Sequence, residues 1–214
     1  MQLQPPDPLK PRKLPRQTRA AATLGAIFEA TIQVLLADGA RRLTTTRVAE
    51  RAGVSVGTMY QYYPHKQALL YAVLQSHLDH ISAALEAACR AGRGHSAGEM
   101  GERLVNAFLD AKSARLDVTK ALYLIAEDLD TRSLLAAASE RNVAAAAAML
   151  ETAPDAAYDD LQAVAFALFS AIAGSTRIVF ERGVTLPALT TLRRELSLMC
   201  RAYLNAARVV RSSL

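Results

Sequence analysis

The amino-acid sequence predicts an all-α protein, and three observations support this. The 214-residue chain is 51% hydrophobic and dominated by alanine and leucine, which favour helices. It contains few helix breakers, with ten glycines and eight prolines. Apolar residues recur three or four positions apart along most of the chain, and no stretch alternates apolar and polar residues as a half-buried strand does. We therefore expect about nine helices in one large or two small domains.

Several classes of protein are disfavoured by the composition. Cys89 and Cys200 show neither disulfide nor metal spacing, which favours a reducing, cytoplasmic compartment. The proline-rich, basic N-terminus lacks the apolar segment of a signal peptide, so none is expected. The longest charge-free run, 161–176, has 16 residues. A membrane span needs roughly 20, so we predict a buried helix and no membrane partner.

Enzymatic and metal chemistry are also not expected. His77 and His80 lie three residues apart on a predicted helix, but no Glu or Cys stands at a suitable offset to complete a metal site. No nucleotide-binding or hydrolase motif occurs in the sequence. We therefore predict no metal, no cofactor and no catalytic residues.

The charge of the chain is concentrated at its N-terminal end. Residues 1–66 carry ten basic and four acidic side chains, whereas the remainder carries 15 basic and 16 acidic ones. A basic head on a nearly neutral body indicates a polyanionic partner at that end. On charge alone, a solvated basic tail accounts for the pattern equally well.

Breaks in the apolar pattern divide the chain into an arm and two domains. Five prolines make residues 1–15 an extended, disordered basic arm. We place a first domain at 16–80, which includes two short helices and their turn at 44–63, and a second domain at 81–214. The helices are predicted over about 16–38, 44–52, 55–63, 65–91, 97–114, 117–128, 132–152, 156–182 and 187–210.

The stretch VSVGTMYQYY, residues 54–63, predicts an unusual short helix. Ser55 is a good N-cap, and Val54 with Met59 can form a hydrophobic staple. The three-residue turn Ala-Gly-Val before Ser55 gives the spacing of a helix-turn-helix, whose second helix enters the major groove. Gly57 lowers helix propensity by roughly 1 kcal/mol compared with alanine, and close approach to DNA would explain it.

The spacing of these residues resembles the DNA-binding domain of the tetracycline-repressor (TetR/AcrR) family. The resemblance covers about residues 16–80 and is nearly complete over 44–70. The matching pattern is Thr44-x3-Val48-Ala49-x2-Ala52-Gly53-Val54-Ser55-x-Gly57-Thr58-Met59-Tyr60-x-Tyr62-Tyr63-x2-Lys66-x2-Leu69-Leu70.

The resemblance implies a homodimeric transcriptional repressor that a small-molecule effector releases from a palindromic double-stranded DNA operator. It also implies DNA contacts at matching positions: Thr44, Ser55, Val56, Gly57, Thr58, Tyr60, Gln61, Tyr62 and Lys66. Thr44, Tyr60, Tyr62 and Lys66 would bind phosphates. Two positions depart from the family. Leu24 replaces a frequent arginine, and Val56 replaces a frequent lysine or arginine, which favours contact with a thymine methyl group.

The last two predicted helices are candidates for the dimer interface. One is apolar nearly all round and carries a ridge of small residues, and the other has apolar residues at alternating spacings of three and four. Either pattern could also belong to the core. The predicted interface residues are Ala163, Ala167, Ala171, Gly174, Leu189, Leu192, Leu196, Met199 and Tyr203.

The helices between residues 97 and 182 are expected to enclose the ligand site. Their larger inward candidates are Phe108, Leu122, Tyr123, Met149, Phe166 and Phe169. Such a lining favours a small, mostly apolar ligand. The alternative function is a helix-turn-helix regulator without an effector, constitutive or gated by a protein partner.

Overall fold

The computed structural model describes residues 18–126 and 130–209, which contain nine α-helices and no strand. The all-α prediction is confirmed, while the arm at 1–15 lies outside the described residues. The helices are α1 Thr18–Arg42, α2 Thr45–Ala52, α3 Val56–Tyr62, α4 Lys66–Ala91, α5 Ala97–Ser113, α6 Leu116–Ala126, α7 Arg132–Leu150, α8 Leu161–Glu181 and α9 Leu186–Ala207.

The chain forms two compact units, and the first is discontinuous in sequence. It comprises the residues up to Leu78 together with Leu116–Leu134. Ile27 and Leu35 of α1, Met59 of α3 and Leu69 of α4 are almost fully buried in its core. Helix α6 adds three further core residues, Val118, Ala121 and Leu122. The sequence prediction had assigned α6 to the second domain. Helical periodicity predicts a helix but does not indicate which of two cores that helix joins.

The second unit comprises Asp79–Arg115 and the residues from Leu135 onward. Its central feature is the close packing of α5 against α9. A Cβ atom added at Gly101 would lie 2.9 Å from Leu204 Cδ1 and 3.2 Å from Cys200 Cβ. Glycine at this position therefore allows the two helices to approach closely. Helix α5 begins with a capping box in which Ser96 and Glu99 bond each other's backbone N–H groups.

Helix α8 forms part of the same core. It begins at Leu161 rather than at the predicted 156, because Asp160 caps it by accepting a hydrogen bond from the backbone N–H of Ala163 at 2.9 Å. By length and composition, Leu161–Glu181 and Ala21–Arg42 could each cross a membrane, a criterion that the core helices of globular proteins also meet. Helix α8 is such a core helix, with buried residues along one side.

Both cysteines are free thiols inside the second unit. Cys89 of α4 is 4% exposed and Cys200 of α9 is fully buried. Burial raises the pKa of Cys89 to about 11 and that of Cys200 to about 12. Both side chains therefore pack as small apolar groups.

Candidate DNA-binding surface

Two short helices joined by a tight turn form the candidate surface. Thr44 caps α2, its Oγ1 accepting a hydrogen bond from the Arg47 backbone N–H at 3.2 Å. Gly53 ends α2 in the left-handed conformation, with φ at 67°. Its N–H and that of Val54 bond the last carbonyls of the helix. These contacts fix the direction in which α3 leaves the turn.

Helix α3 is anchored at one end by a cap and in the middle by a single buried residue. Ser55 Oγ accepts a hydrogen bond from the Thr58 N–H at 3.0 Å and pairs with the Thr58 hydroxyl at 2.8 Å. Met59 is fully buried in the same cluster as Val48 and Ala49 of α2. The predicted N-cap is thus confirmed, and the side of α3 opposite Met59 remains uncovered.

The uncovered side of α3 carries small or hydrogen-bonding residues. Val56 is 38% exposed and Tyr60 is 42% exposed. Gly57 and Gln61 are exposed as well. A Cβ added at Gly57 would have only Ser55 Oγ within 4 Å, at a distance of 3.8 Å. Four of the predicted contact residues of α3 are therefore exposed, namely Val56, Gly57, Tyr60 and Gln61, while Thr58 and Tyr62 are half-buried.

A threonine that the sequence pattern did not single out orients Tyr60. Thr45, on α2, is 8% exposed, and its hydroxyl donates a hydrogen bond to the Tyr60 hydroxyl oxygen at 3.2 Å. A phenol has a single O–H donor. Because Thr45 donates into the oxygen, the proton of Tyr60 is left to donate outward.

Lys66 and Tyr62 flank this face at the start of α4 and the end of α3. Lys66 Nζ donates to the carbonyl oxygen of Ala40 at 3.1 Å. An ammonium group has three donors, so this bond leaves two for another acceptor. Tyr62 is half-buried and its ring centroid lies 6.5 Å from that of Tyr63. Burial raises the pKa of Tyr63, which packs against Phe28 as a neutral core residue.

The first unit also carries basic residues near these helices, and some of them form contacts within the chain. Arg47 pairs with Asp38 at 3.2 Å, and Arg51 Nε donates to Gln33 at 2.7 Å. Arg41 and Arg42 are exposed and form no ion pair within the described chain. These two add positive charge without an internal acidic partner.

Only part of the predicted ligand lining comes together. Phe108 and Phe169 pack edge to face at 5.4 Å between ring centroids, in the same core cluster as Met149. Leu122 belongs instead to the core of the first unit, and Tyr123 is half-buried on α6 of the same unit. The prediction that Phe166 points inward is wrong, because it is 59% exposed. A helix that is apolar nearly all round gives no indication of which side faces the core.

A lysine, Lys112, lies beside this aromatic pair. Its ammonium lies 5.8 Å from the centroid of the Phe108 ring. Burial, with a smaller contribution from the nearby charge of Arg177, lowers the pKa of Lys112 to about 8. Within the described residues, no cluster of His, Cys, Asp or Glu could hold a metal ion.

The predicted dimer residues differ in how far they are exposed. Ala163, Ala167 and Gly174 are exposed on α8, as a dimer surface requires. Ala171 and Leu189 are half-buried, and Met199 is 38% exposed.

The other α9 residues of that prediction face the core. Leu196 is 3% exposed, so its prediction as a dimer contact is wrong. Leu192 and Tyr203 pack against the same core cluster. The regular spacing on α9 reflects its packing within the protomer, mainly against α5. Exposed apolar residues on α8 and α9 that the sequence pattern missed include Ile178, Leu198 and Leu186, at 53%, 62% and 80%.

A helix-turn-helix with an accessible second helix defines a DNA-binding regulator. Comparison with known families agrees. The description "Bacterial regulatory proteins, tetR family" matches residues 27–73, and "Tetracyclin repressor-like, C-terminal domain" matches residues 98–204, half of the chain. The chain belongs to the TetR family of transcriptional regulators.

Two relatives with curated descriptions match over about a third of this chain. The HTH-type transcriptional repressor KstR of Mycolicibacterium smegmatis is 38% identical over 66 residues, which are 31% of this chain and 32% of that protein. The uncharacterized HTH-type transcriptional regulator YvkB of Bacillus subtilis is 37% identical over 60 residues, 28% of this chain and 32% of that protein. The matches thus span about a third of each curated relative.

Solved structures show the same fold along most of the chain. A protein from Mesorhizobium loti described as a TetR-family transcriptional regulator aligns with a TM-score of 0.70 and 20% identity, over 90% of this chain and all of that one. A TetR-family regulator from Streptomyces coelicolor aligns with a TM-score of 0.59 and 24% identity, over 86% and 99%. At these identities the likeness concerns the fold alone.

Proposed function

We propose that the protein is a cytoplasmic, ligand-responsive transcriptional repressor that binds an inverted-repeat operator as a homodimer. Helix α3 enters the major groove, where Val56 and Gln61 meet base edges and Val56 contacts a thymine methyl group. Thr44, Tyr60, Tyr62 and Lys66 bind phosphates, and Ser55, Gly57 and Thr58 approach the backbone or bases closely. Phosphate contacts set the register of the protein on DNA, whereas base contacts set its sequence preference.

The environment of Gly57 carries this proposal. A glycine inside a helix lowers stability by roughly 1 kcal/mol compared with alanine. Its backbone is not left-handed, and the space around an added Cβ is open apart from Ser55 Oγ. The fold of the protomer therefore gives no reason for glycine here. Close approach of an external molecule to the α3 backbone does give one.

Selection of binding sites from random double-stranded DNA tests the function. We expect an inverted repeat whose half-sites lie about 34–36 Å apart, or a multiple of that turn. Gly57→Ala should retain or raise the melting temperature while weakening operator binding. The matched control is Gly98→Ala, a helical glycine whose added Cβ would lie 3.4 Å from the flexible Arg201 side chain. Full affinity for one unrepeated half-site would contradict the proposed dimeric mode.

The outer surface of α8 and α9 supports the homodimer. Phe166, Ile178 and Leu198 are each more than half exposed. The exposed small residues Ala163, Ala167 and Gly174 accompany them on α8 and permit close approach of another helix. Contiguous patches of exposed apolar surface mark protein contact sites. A second copy presenting the same surface would bury them in a two-fold symmetric interface.

The effector is proposed to be small and mostly apolar, held in the second unit near Phe108, Met149 and Phe169. A ligand that binds the folded protein raises its melting temperature, so a thermal-shift screen identifies candidates. Release of operator DNA by the same compounds is the expected result. Stabilising compounds that leave operator binding unchanged would favour a regulator without a small-molecule effector.

A further inference from the structure

The last turn of α1, just before α2, presents two exposed arginines. Gly39 has a positive φ of 77°, with ψ at 165°, and interrupts the helical path of α1. Residues with a Cβ rarely adopt such a conformation. Arg41 and Arg42 follow in a separate turn, and both are exposed. Leu43, which is 1% exposed, fixes the end of that turn in the core.

Contacts from neighbouring helices hold this turn in place through its backbone. Arg47 of α2 donates from Nη1 to the Arg42 carbonyl oxygen at 3.4 Å and pairs with Asp38 at 3.2 Å. Lys66 of α4 donates to the Ala40 carbonyl oxygen at 3.1 Å. These bonds engage the backbone of the turn and leave the two exposed guanidinium groups uninvolved.

The positive charge of the turn has no internal counterpart. Asp38 is the carboxylate nearest to Arg41 and Arg42 in sequence, and it pairs with Arg47 instead. Neither Arg41 nor Arg42 forms an ion pair in the part of the chain that the structure describes. Two unpaired, exposed guanidinium groups are suited to an external anion, above all a phosphate.

The turn lies beside two of the predicted phosphate contacts. Thr44 follows Arg42 by two residues, so their Cα atoms are at most about 7.6 Å apart. The Thr45 hydroxyl donates to that of Tyr60 at 3.2 Å, which places the Tyr60 hydroxyl at the start of α2. Successive phosphates of one DNA strand are about 3.4 Å apart along the helix axis. A strand bound at Thr44 and Tyr60 therefore has further phosphates near the two arginines.

We propose that Arg41 and Arg42 bind DNA phosphates next to those bound by Thr44 and Tyr60. Helix α3, with the sequence VGTMYQY, has no basic residue. The turn before α2 thus supplies positive charge that the second helix of the motif lacks. The contacts strengthen binding to all sequences alike, because phosphates carry no sequence information. The inference rests on the proposed function only in requiring that α2 and α3 bind DNA.

The salt dependence of DNA binding tests the assignment. Fluorescence anisotropy of the full chain is measured on the selected operator and on a random-sequence duplex. Each lost phosphate contact makes the slope of log affinity against log salt shallower by about 0.9. We expect Arg41→Gln with Arg42→Gln to reduce the slope by about 1.8 for each bound protomer and to weaken binding at least about tenfold. Arg41→Lys with Arg42→Lys keeps both charges and should keep most of the slope.

A matched control separates local contact from overall charge. Arg93→Gln with Arg182→Gln removes two charges from exposed positions in the second unit and should leave the slope unchanged. Cations in the last turn of a helix also interact favourably with its carbonyl end. A lower melting temperature of the Arg41 and Arg42 variant with unchanged DNA binding would assign the arginines to helix stability and overturn the proposal.

Neutral methylphosphonate linkages, introduced into the duplex one at a time, locate the contacts. At one or two adjacent linkages in each half-site, the neutral group should weaken binding of the wild-type protein but not of the double glutamine variant. Such non-additivity is expected when two changes remove the same interaction. Full additivity at every linkage would overturn direct contact.

Base selection separates this proposal from the proposed function. A shifted base preference in the double glutamine variant would overturn the assignment to phosphates. The wild-type protein could instead select no sequence, yet bind random duplex with a salt slope that depends on Arg41 and Arg42. That result would contradict the operator-specific regulator and support the phosphate contacts.

Discussion

Helices α3 and α8 both leave one side uncovered within the protomer, but the two uncovered sides differ in chemistry. The side of α3 has Gly57, Gln61 and the hydroxyl of Tyr60, whereas that of α8 has Phe166 and Ile178. The first suits the polar edges of a nucleic acid, and the second suits another apolar surface. The chemistry of an uncovered helix side thus indicates the class of its partner.

The glycines of these helices sharpen the comparison. An added Cβ would meet no atom within 4 Å at Gly174 of α8, and only Ser55 Oγ at Gly57 of α3. At Gly101, by contrast, it would be only 2.9 Å from Leu204 Cδ1. The protomer's own packing accounts for Gly101 but gives no reason for glycine at Gly57 or Gly174.

The largest effect is expected at the uncovered side of α8 and at the neighbouring α9. Phe166→Glu combined with Leu198→Glu places two carboxylates in the proposed apolar interface, where desolvation of each charge costs several kcal/mol. We expect a monomer in sedimentation and operator affinity reduced more than about 100-fold. The control Ala87→Glu adds charge on exposed α4. If the variant remains dimeric, the exposed surface of α8 and α9 is not the dimer interface.

A larger residue on α3 should weaken DNA binding while leaving the stability of the fold nearly unchanged. Gly57→Val places a branched side chain between the helix and DNA, and we expect operator affinity to fall roughly 10- to 100-fold. The free energy of unfolding should change by less than about 1 kcal/mol. Chemical denaturation and fluorescence anisotropy measure the two quantities. A clear loss of stability would show that the protomer itself requires this glycine.

Substitution of Gly101 by valine should have the opposite effects, lowering stability while leaving operator affinity unchanged. Valine there would overlap Leu204 and Cys200, and forced overpacking of a core costs about 1–3 kcal/mol. We expect a lower denaturation midpoint, with operator affinity retained by the folded fraction. If Gly101→Val is as stable as the parent, the packing of α5 on α9 is looser than the described contacts indicate.

Smaller effects are expected at the phosphate contacts beside α3. Tyr60→Phe and Lys66→Ala should each weaken binding by about 1 kcal/mol for every DNA sequence alike. Thr45→Val, which removes the hydroxyl that orients Tyr60, should reproduce the Tyr60→Phe effect and add little to it in the double variant. Full additivity of Thr45→Val and Tyr60→Phe would indicate that Thr45 acts independently.

Substitution of Val56 should change the overall operator affinity least, but it should change which DNA base is preferred. Lysine there can donate to guanine O6 and N7, so the preferred base should shift from thymine towards guanine. Repeating the selection with Val56→Lys measures the shift, and Gln67→Lys adds the same charge at an exposed position on α4. An unchanged base preference would mean that α3 does not read the bases through this residue.

Local residue patterns were sufficient to predict the helix-turn-helix. Thr44 and Ser55 cap their helices through their own side chains, and Gly53 ends α2 because its backbone is left-handed. Each of these features depends on neighbours a few residues away. Local sequence therefore predicted both the elements and the accessible side of α3, with Met59 marking the buried side.

The second unit was predicted less well because its arrangement depends on distant contacts. Helix α8 is apolar nearly all round, so only its neighbours decide that Phe169 faces the core and Phe166 does not. Leu196 has the spacing of an interface residue, but α9 turns that side onto α5. The bond between Thr45 and Tyr60 joins residues 15 positions apart, beyond the reach of a helical pattern.

The burial of the two native thiols allows selective chemical labelling of the protein. With pKa values of about 11 and 12, fewer than roughly one in a thousand of either group is thiolate at neutral pH. The chain has no other cysteine. A cysteine introduced at an exposed residue such as Gln67 would therefore react selectively with a maleimide dye. Site-specific labelling of the protein follows without removal of the native residues.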